Sequence, residues 1–363
     1  MNNTDEKYIE LYPSHWFYNA SVIGFIISLE DIEKIEVNRL FCNDGRINIE
    51  KEILKSLNVN ERYFSENKIS SIVTKAQIYR NYLQVSDKNV FPNYVKELAN
   101  VEHSNNGCCI CNLGYDISAD AKKRLSENGL GKFIERIGSY NMIFNANFGP
   151  SKKKFPNAFW VNQHSDNVCS FCSFLLIHQH IGLTRLMDKS EIFINAPTFK
   201  LMYYLNKFLN SSISGKNKIE HKDKRALLAM SVIEYASKTN SLLGQWAGMN
   251  IEIISQKGKD IDFFSLPYET VQLISNKQIA GLLSNIGEFK ILNIVLDGRF
   301  KQLVDLGYKF LKISMKADRN KADDDFIKDS LFLWNNKKYL NQTANKVLKL
   351  YALIETRMNK LKY

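Results

Sequence analysis

Five of the six cysteines fall into two tight clusters, Cys108-Cys109-Ile110-Cys111 and Cys169-Ser170-Phe171-Cys172. Each contains a CxxC, the spacing with which a short turn aims two thiolates at one metal ion, and two such pairs complete a tetrahedral four-cysteine site. The expected ligands of one structural zinc are therefore Cys108, Cys111, Cys169 and Cys172. Cys109 lies between the members of the first pair and leaves that pairing ambiguous, with Cys108 and Cys111 preferred. The 57 residues between Cys111 and Cys169 exceed the spacer of an ordinary zinc ribbon, so a sub-domain must be inserted between the knuckles. The competing reading is a set of buried reduced thiols, since free Cys is among the most buried residue types. His103, His164, His178 and His180 could substitute as ligands. The last two share a face if 177–181 is extended.

These thiols need elements to hold them. Ser14 is a candidate N-cap for a helix through Trp16, Ala20, Ile23 and Ile27, whose spacing traces one apolar face. Asn19 and Gly24 interrupt that face, so either another backbone approaches closely there or an amide is presented for recognition. Residues 30–100 read as helices with loops, including a helix over Ile69 to Leu83. Ala119 to Leu130 reads as a helix carrying Lys122, Lys123 and Arg124 and ending at Asn128-Gly129. The stretch Asn141 to Phe148 alternates like a strand and closes at Gly149-Pro150. Lys152, Lys153 and Lys154 follow at once, then Phe155, Phe159 and Trp160. Basic residues interleaved with aromatics suit phosphate contact and base stacking, although a solvated surface loop would look the same.

Beyond the second knuckle, Phe174 to Ile177 is a short buried run, and Leu201 to Leu209 and Met230 to Leu243 read as helices joined by a charged connection over Lys216 to Arg225. Ile251 to Ile254 and Ile261 to Leu266 read as paired strands across the Lys257-Gly258 turn. From Pro267 onward the pattern is almost only helical, which places a domain boundary there. The last helix is the clearest, with Leu340, Ala344, Val347, Leu348, Tyr351, Ile354, Met358 and Leu361 on one stripe. The expected architecture is α+β: a mixed N-terminal domain over 1–267 containing the inserted four-cysteine zinc site, then a C-terminal helical bundle over 268–363.

With 363 residues, 45% of them hydrophobic and 12% aromatic, the chain can bury a sizeable core and is not a disordered protein. The apolar run Ala20 to Leu29 is too short to span a bilayer, and the acidic, polar first residues do not read as a signal peptide, so no membrane role and a cytoplasmic location are expected. There, thiols stay reduced and CxxC pairs bind metal rather than form disulfides. The formal charge of +11 points to a polyanionic partner. Its location is more informative than its sum: 337–363 holds seven Lys or Arg and one Glu, a net +6 on an amphipathic helix.

Walker A, GxSxG, HExxH, Rossmann and zinc-deaminase signatures are all missing from the sequence. A closed site of four cysteines leaves the metal no open position, and a doubled CxxC fits thioredoxin-like redox chemistry poorly. The reading is a non-enzyme. A metal-dependent nuclease would need acidic ligands such as Asp323, Asp324 and Asp325, a run that reads instead as the start of a helix at Phe326.

The segment Trp16-Phe17-Tyr18-Asn19-Ala20-Ser21-Val22-Ile23-Gly24, followed by two separated CxxC clusters and a helical C-terminus, resembles the large subunit of type I-B CRISPR interference complexes (Cascade). Within that group it is most similar to the branch with a CxxC-CxxC region. The resemblance implies a non-catalytic subunit of an RNA-guided surveillance complex that reads the motif flanking the target DNA, stabilises the opened strand and helps recruit the helicase-nuclease, while CRISPR RNA pairing reads the target. Its implied partners are the other Cascade proteins, CRISPR RNA, target double-stranded DNA and the helicase-nuclease. On this reading Lys152, Lys153 and Lys154 grip phosphates, and Asn145, Asn147, Asn157 or Asn19 reads a base edge. Lys346, Lys349, Arg357 and Lys360 supply the basic face of the last helix. Met230 and Met249 are candidate internal starts for a separate small subunit. The alternative is a stand-alone zinc-ribbon DNA-binding regulator acting without guide RNA.

Overall fold

The computed structural model describes residues 7–57, 87–104, 107–137, 139–140, 166–186, 189–214, 228–233, 251–257 and 260–361. The helix expected over Ile69 to Leu83, the strand over Asn141 to Phe148, the basic loop after it and the charged connection from Lys216 lie outside these residues. So does most of the helix expected from Met230.

Strand β1 (Tyr8–Leu11) leads into helix α1 (Trp16–Glu33). Strand β2 (Ile47–Glu50) pairs antiparallel with β1, Tyr8 opposite Glu50 and Leu11 opposite Ile47. The period-two pattern is plain: Ile9, Leu11, Ile47 and Ile49 are buried while their neighbours are partly exposed. Next come α2 (Lys51–Ser56), α3 (Phe91–Glu97), and the short antiparallel pair β3 (Glu102–His103) and β4 (Tyr115–Asp116). Helix α4 (Ala119–Leu125) has the expected basic last turn and is followed by a widened turn in which Asn128 and Gly129 leave helical geometry. Gly129 takes φ 94°, so the expected stop at Asn128-Gly129 is real, and α5 (Gly131–Ile137) starts again after it.

A second short pair, β5 (Ser139–Tyr140) and β6 (Asp166–Asn167), precedes α6 (Ser170–Leu176) and α7 (Gln179–Gly182). Strands β7 (Thr184–Arg185) and β8 (Glu191–Asn195) pair antiparallel, and α8 (Phe199–Ser214) follows. Strands β9 (Glu252–Lys257) and β10 (Asp260–Ser265) are neighbours, as expected, in a four-stranded sheet ordered β10-β9-β8-β7.

Pro267 caps α9 (Tyr268–Ile274), and helices then run to the end: α10 (Lys277–Ile286), α11 (Phe289–Leu296), α12 (Lys301–Ser314), α13 (Lys321–Ser330), α14 (Trp334–Lys338) and α15 (Leu340–Leu361). The protein is thus mixed, mostly helical, with a helical C-terminal region. It divides into two compact units, one made of 1–185, 189–203 and 255–261, the other of 186–188, 204–254 and 262–363.

In the first unit α1 is the central element. Tyr18, Val22, Phe25, Ile26 and Leu29 are fully buried, and so are Asn19 and Ser21. The middle turns of the helix are therefore enclosed rather than one-faced, because apolar residues occupy nearly every position there, while Trp16, Phe17, Ile27 and Glu30 are half-buried. His15, not Ser14, is its N-cap, with Nδ1 accepting from the Tyr18 N–H at 3.4 Å. Ser14 is held instead by Asn19, whose Oδ1 accepts the Ser14 N–H at 2.9 Å and whose amide donates to the Ser14 carbonyl at 2.7 Å. Gly24 meets α7 backbone to backbone. A Cβ there would lie 2.0 Å from the His178 carbonyl oxygen, and one at Gly182 would lie 2.1 Å from that of Ala20.

In the second unit α12 and α15 pack along their lengths, with Gly307 admitting Leu348 so closely that a Cβ would sit 2.7 Å from its side chain. Leu340, Ala344, Val347 and Ile354 are buried as the stripe predicts, joined by Leu350, while Leu348, Tyr351 and Met358 are half-buried. Helix α13 begins at Lys321, five residues before the expected start at Phe326. Asn320 caps it in a reciprocal box with Asp323, so one acidic residue of the run serves the cap and Asp324 completes an acidic first turn.

Candidate metal centre

The two clusters are presented by different local structures. Cys108 and Cys111 lie on a turn closed by the Asn112 N–H to the Cys108 carbonyl at 2.9 Å, with Asn112 at φ 63° and Gly114 at φ 77°. Two left-handed residues just past a CxxC reverse the chain tightly enough to point backbone amides at the sulfurs. Ile110 N–H donates to Cys108 Sγ at 3.4 Å and Gly114 N–H to Cys111 Sγ at 3.3 Å. The second pair uses a helix start. Cys169 is the N-cap of α6, its Sγ accepts from the Cys172 N–H at 3.4 Å, and its own N–H donates to Cys108 Sγ at 3.3 Å.

The four sulfurs of Cys108, Cys111, Cys169 and Cys172 lie within 4.8 Å of one another, with Cys111 and Cys169 3.9 Å apart. A tetrahedral thiolate site with metal–sulfur bonds of about 2.3 Å has sulfur–sulfur edges of roughly 3.8 Å, so the cluster is nearly at coordination distance. None of the six cysteines is in a disulfide. Cys169 and Cys172 are fully buried and Cys108 and Cys111 nearly so, whereas Cys109 is exposed, which resolves the ambiguity of the first cluster in favour of Cys108. The four cysteines could hold one metal ion.

The four thiols do not share one electrostatic environment. Hydrogen bonding from Cys111, Cys169 and Cys172 draws the Cys108 thiol far below its usual range, while burial pushes Cys172 well above it. Cys111 is drawn down with Cys108 and Cys169 is pushed up with Cys172, so without a cation the pocket accommodates negative charge at two thiols and resists it at the other two. A divalent ion lets all four ionise, and the amide donors already aimed at the sulfurs suit that thiolate state.

Supporting residues came from outside the cysteine pattern. Asp116 Oδ1 accepts from the Ser170 N–H at 2.9 Å and hydroxyl at 2.8 Å, clamping the strand after the first knuckle to the start of α6. The Tyr94 hydroxyl donates to the Ser170 carbonyl at 2.7 Å, bringing α3 to the same point. The Cys109 N–H donates to the Asn167 backbone carbonyl and the Asn167 side-chain amide to the Gly107 carbonyl, joining the two knuckles. The legible signal was Gly114, a glycine three residues past a CxxC; nothing in the sequence marks Asp116.

The histidines are placed elsewhere. His178 is buried between Phe25 and Phe174, its ring 5.0 Å from each, and 179–182 is helical rather than extended. His103 lies on β3 against Tyr115, 4.6 Å between ring centroids, and His164 lies outside the described residues. Among the described residues the four cysteines form the metal-capable group.

Of the candidate nucleic-acid residues, Lys152, Lys153, Lys154, Asn145, Asn147 and Asn157 lie outside the described residues. Asn19 is 1% exposed, its amide committed to Ser14 and, at 2.8 Å, to Asn195. It secures the start of α1, which is the close-packing alternative. On α15, Lys349 is exposed, Lys346 is half-buried and donates to Asn285 at 3.0 Å, and Arg357 is half-buried. Lys360 is in the last turn of that helix. Comparison of the chain with protein-family models, curated proteins and solved structures finds no match.

Proposed function

We propose that this protein is the non-catalytic large subunit of a type I-B CRISPR RNA-guided surveillance complex, stabilised by one structural zinc on Cys108, Cys111, Cys169 and Cys172. The observation that carries the reading is the packing of the two features behind the family resemblance into one compact unit. Helix α1, which bears Trp16 to Gly24, packs on cysteine-bearing α6 with Phe25 and Phe174 5.4 Å apart. Zinc is preferred because an all-thiolate, buried set suits a closed tetrahedral site with no position left for substrate. When bound, the ion supplies four strong ligand bonds across the inserted segment. The chain's own residues then orient the thiolates through Ile110, Gly114, Cys169 and Cys172 N–H groups and anchor α6 through Asp116.

In this proposal the chain contacts DNA through its basic surface, with Lys152 to Lys154 on phosphates and Asn145, Asn147 or Asn157 reading the flank. The residues of α15 hold the opened strand. The test is expression with the genes that neighbour this one, followed by purification and binding to targets carrying every short flanking sequence. The expected result is a complex containing CRISPR RNA whose affinity depends on the flank. Lys153→Ala should weaken all flanks alike, while one of the three Asn→Ala variants should change their ranking by ~1–3 kcal/mol. Tight DNA binding by the isolated chain without RNA would instead support a stand-alone zinc-ribbon regulator. Metal analysis of the purified protein returning no zinc would remove the metal assignment from either reading.

A further inference from the structure

The second unit carries an aromatic surface that the reading above does not use. Phe332 is 72% exposed, Trp334 73%, Tyr339 48% and Leu333 36%, all within eight residues. A single exposed apolar side chain is ordinary, but four in one short segment form a patch of the kind that marks interaction sites. The backbone beneath them is tightly held. The buried Glu288 carboxylate accepts the Phe332 N–H at 2.7 Å, the Leu333 N–H at 2.9 Å and the Asn336 amide at 2.8 Å. Asn336 also donates to the Ile286 carbonyl at 2.7 Å, and the Thr343 hydroxyl donates to the Asn336 carbonyl at 3.1 Å. A buried charge thus fixes a segment whose side chains point to solvent, and a surface ordered in advance loses little entropy on binding.

We propose that the Phe332-Leu333-Trp334 ridge with Tyr339 docks an acidic amphipathic helix of a partner protein. An aromatic and aliphatic centre with a polar rim is the make-up of a protein–protein hot spot. The segment carries two lysines: Lys338 is exposed with its ammonium 5.2 Å from the Tyr339 ring centroid, and Lys337 is half-buried beside it, against one exposed carboxylate, Asp329, three residues before Phe332. A chain of net charge +11 repels a second copy of itself and attracts a negatively charged partner. A nucleic-acid strand fits less well, because it needs cations spaced along its backbone and flat rings beneath successive bases. Here the two lysines are adjacent in the chain rather than spaced along it, and Leu333 has no ring to stack. The inference does not depend on the RNA-guided reading or on the metal.

The test uses the full-length protein and two labelled helical peptides, both with leucines at i, i+3, i+4 and i+7, one with glutamates on its polar face and the other with lysines. Fluorescence anisotropy should show binding of the glutamate peptide, weakened roughly tenfold or more in Trp334→Ala and in Phe332→Ala. The double variant Lys337→Glu, Lys338→Glu should reverse the preference in favour of the lysine peptide. The two alanine variants should keep the parent melting temperature, because those side chains are mostly exposed. The proposal is overturned if neither peptide binds, if binding ignores Trp334, or if an oligothymidine strand binds in a Trp334-dependent manner while the peptides do not.

Discussion

At the residue scale, the difference between Cys109 and its neighbours shows how little of a metal site is chemistry alone. Three thiols stand within four positions, and the turn buries two and leaves Cys109 in solvent. Cys169→Ser should abolish tight metal binding and lower thermal stability, since it removes a ligand, while the serine hydroxyl can still cap α6 by accepting the Cys172 N–H. Cys109→Ser should leave both unchanged. Equal metal content and melting temperature in the two variants would show that the thiols are merely buried. Asn19 teaches the same lesson in reverse: an amide suited to reading a base is fully occupied in starting a helix.

At the element scale, the crossing of α1 and α7 rests on two glycines whose backbones touch. Gly24→Ala should destabilise the protein by roughly 3 kcal/mol, because the Cβ meets a carbonyl oxygen that cannot move without shifting α7. A denaturation midpoint unchanged from the parent would mean that α7 moves freely. The Glu288 junction between α11 and α14 offers a second check. Glu288→Gln removes the charge from three hydrogen bonds and turns an amide toward N–H donors, so a loss of about 2 kcal/mol is expected in chemical denaturation. A loss below a few tenths would show that the carboxylate is dispensable.

At the scale of the whole molecule, charge rather than packing governs encounters with polyanions. Under the function proposed above, replacing Lys349 and Lys360 with Gln should weaken DNA binding by the assembled complex for all sequences alike and flatten its dependence on salt. Unchanged affinity at low salt would reduce the basic face of α15 to composition. No helix among the described residues is long and apolar enough to cross a membrane. In the first unit Phe25 of α1 packs on Phe174 while Phe91, Tyr94 and Phe133 form a second aromatic cluster, and the helical region from Tyr268 onward belongs to the second unit.

Local pattern determined a good deal without coordinates: the two CxxC pairs, the stop at Asn128-Gly129, the β9 and β10 pair, the helical regime after Pro267 and the buried stripe of α15. These rest on spacing within one element, where neighbours in sequence are neighbours in space. Tertiary structure alone decided which thiols of the first cluster face the second, that 179–182 coils rather than extends, that the middle turns of α1 are buried on more than one face, and that Asp116 anchors Ser170. Each of these depends on a partner tens of residues away, and a side chain's environment is set by what packs against it, which no local periodicity encodes.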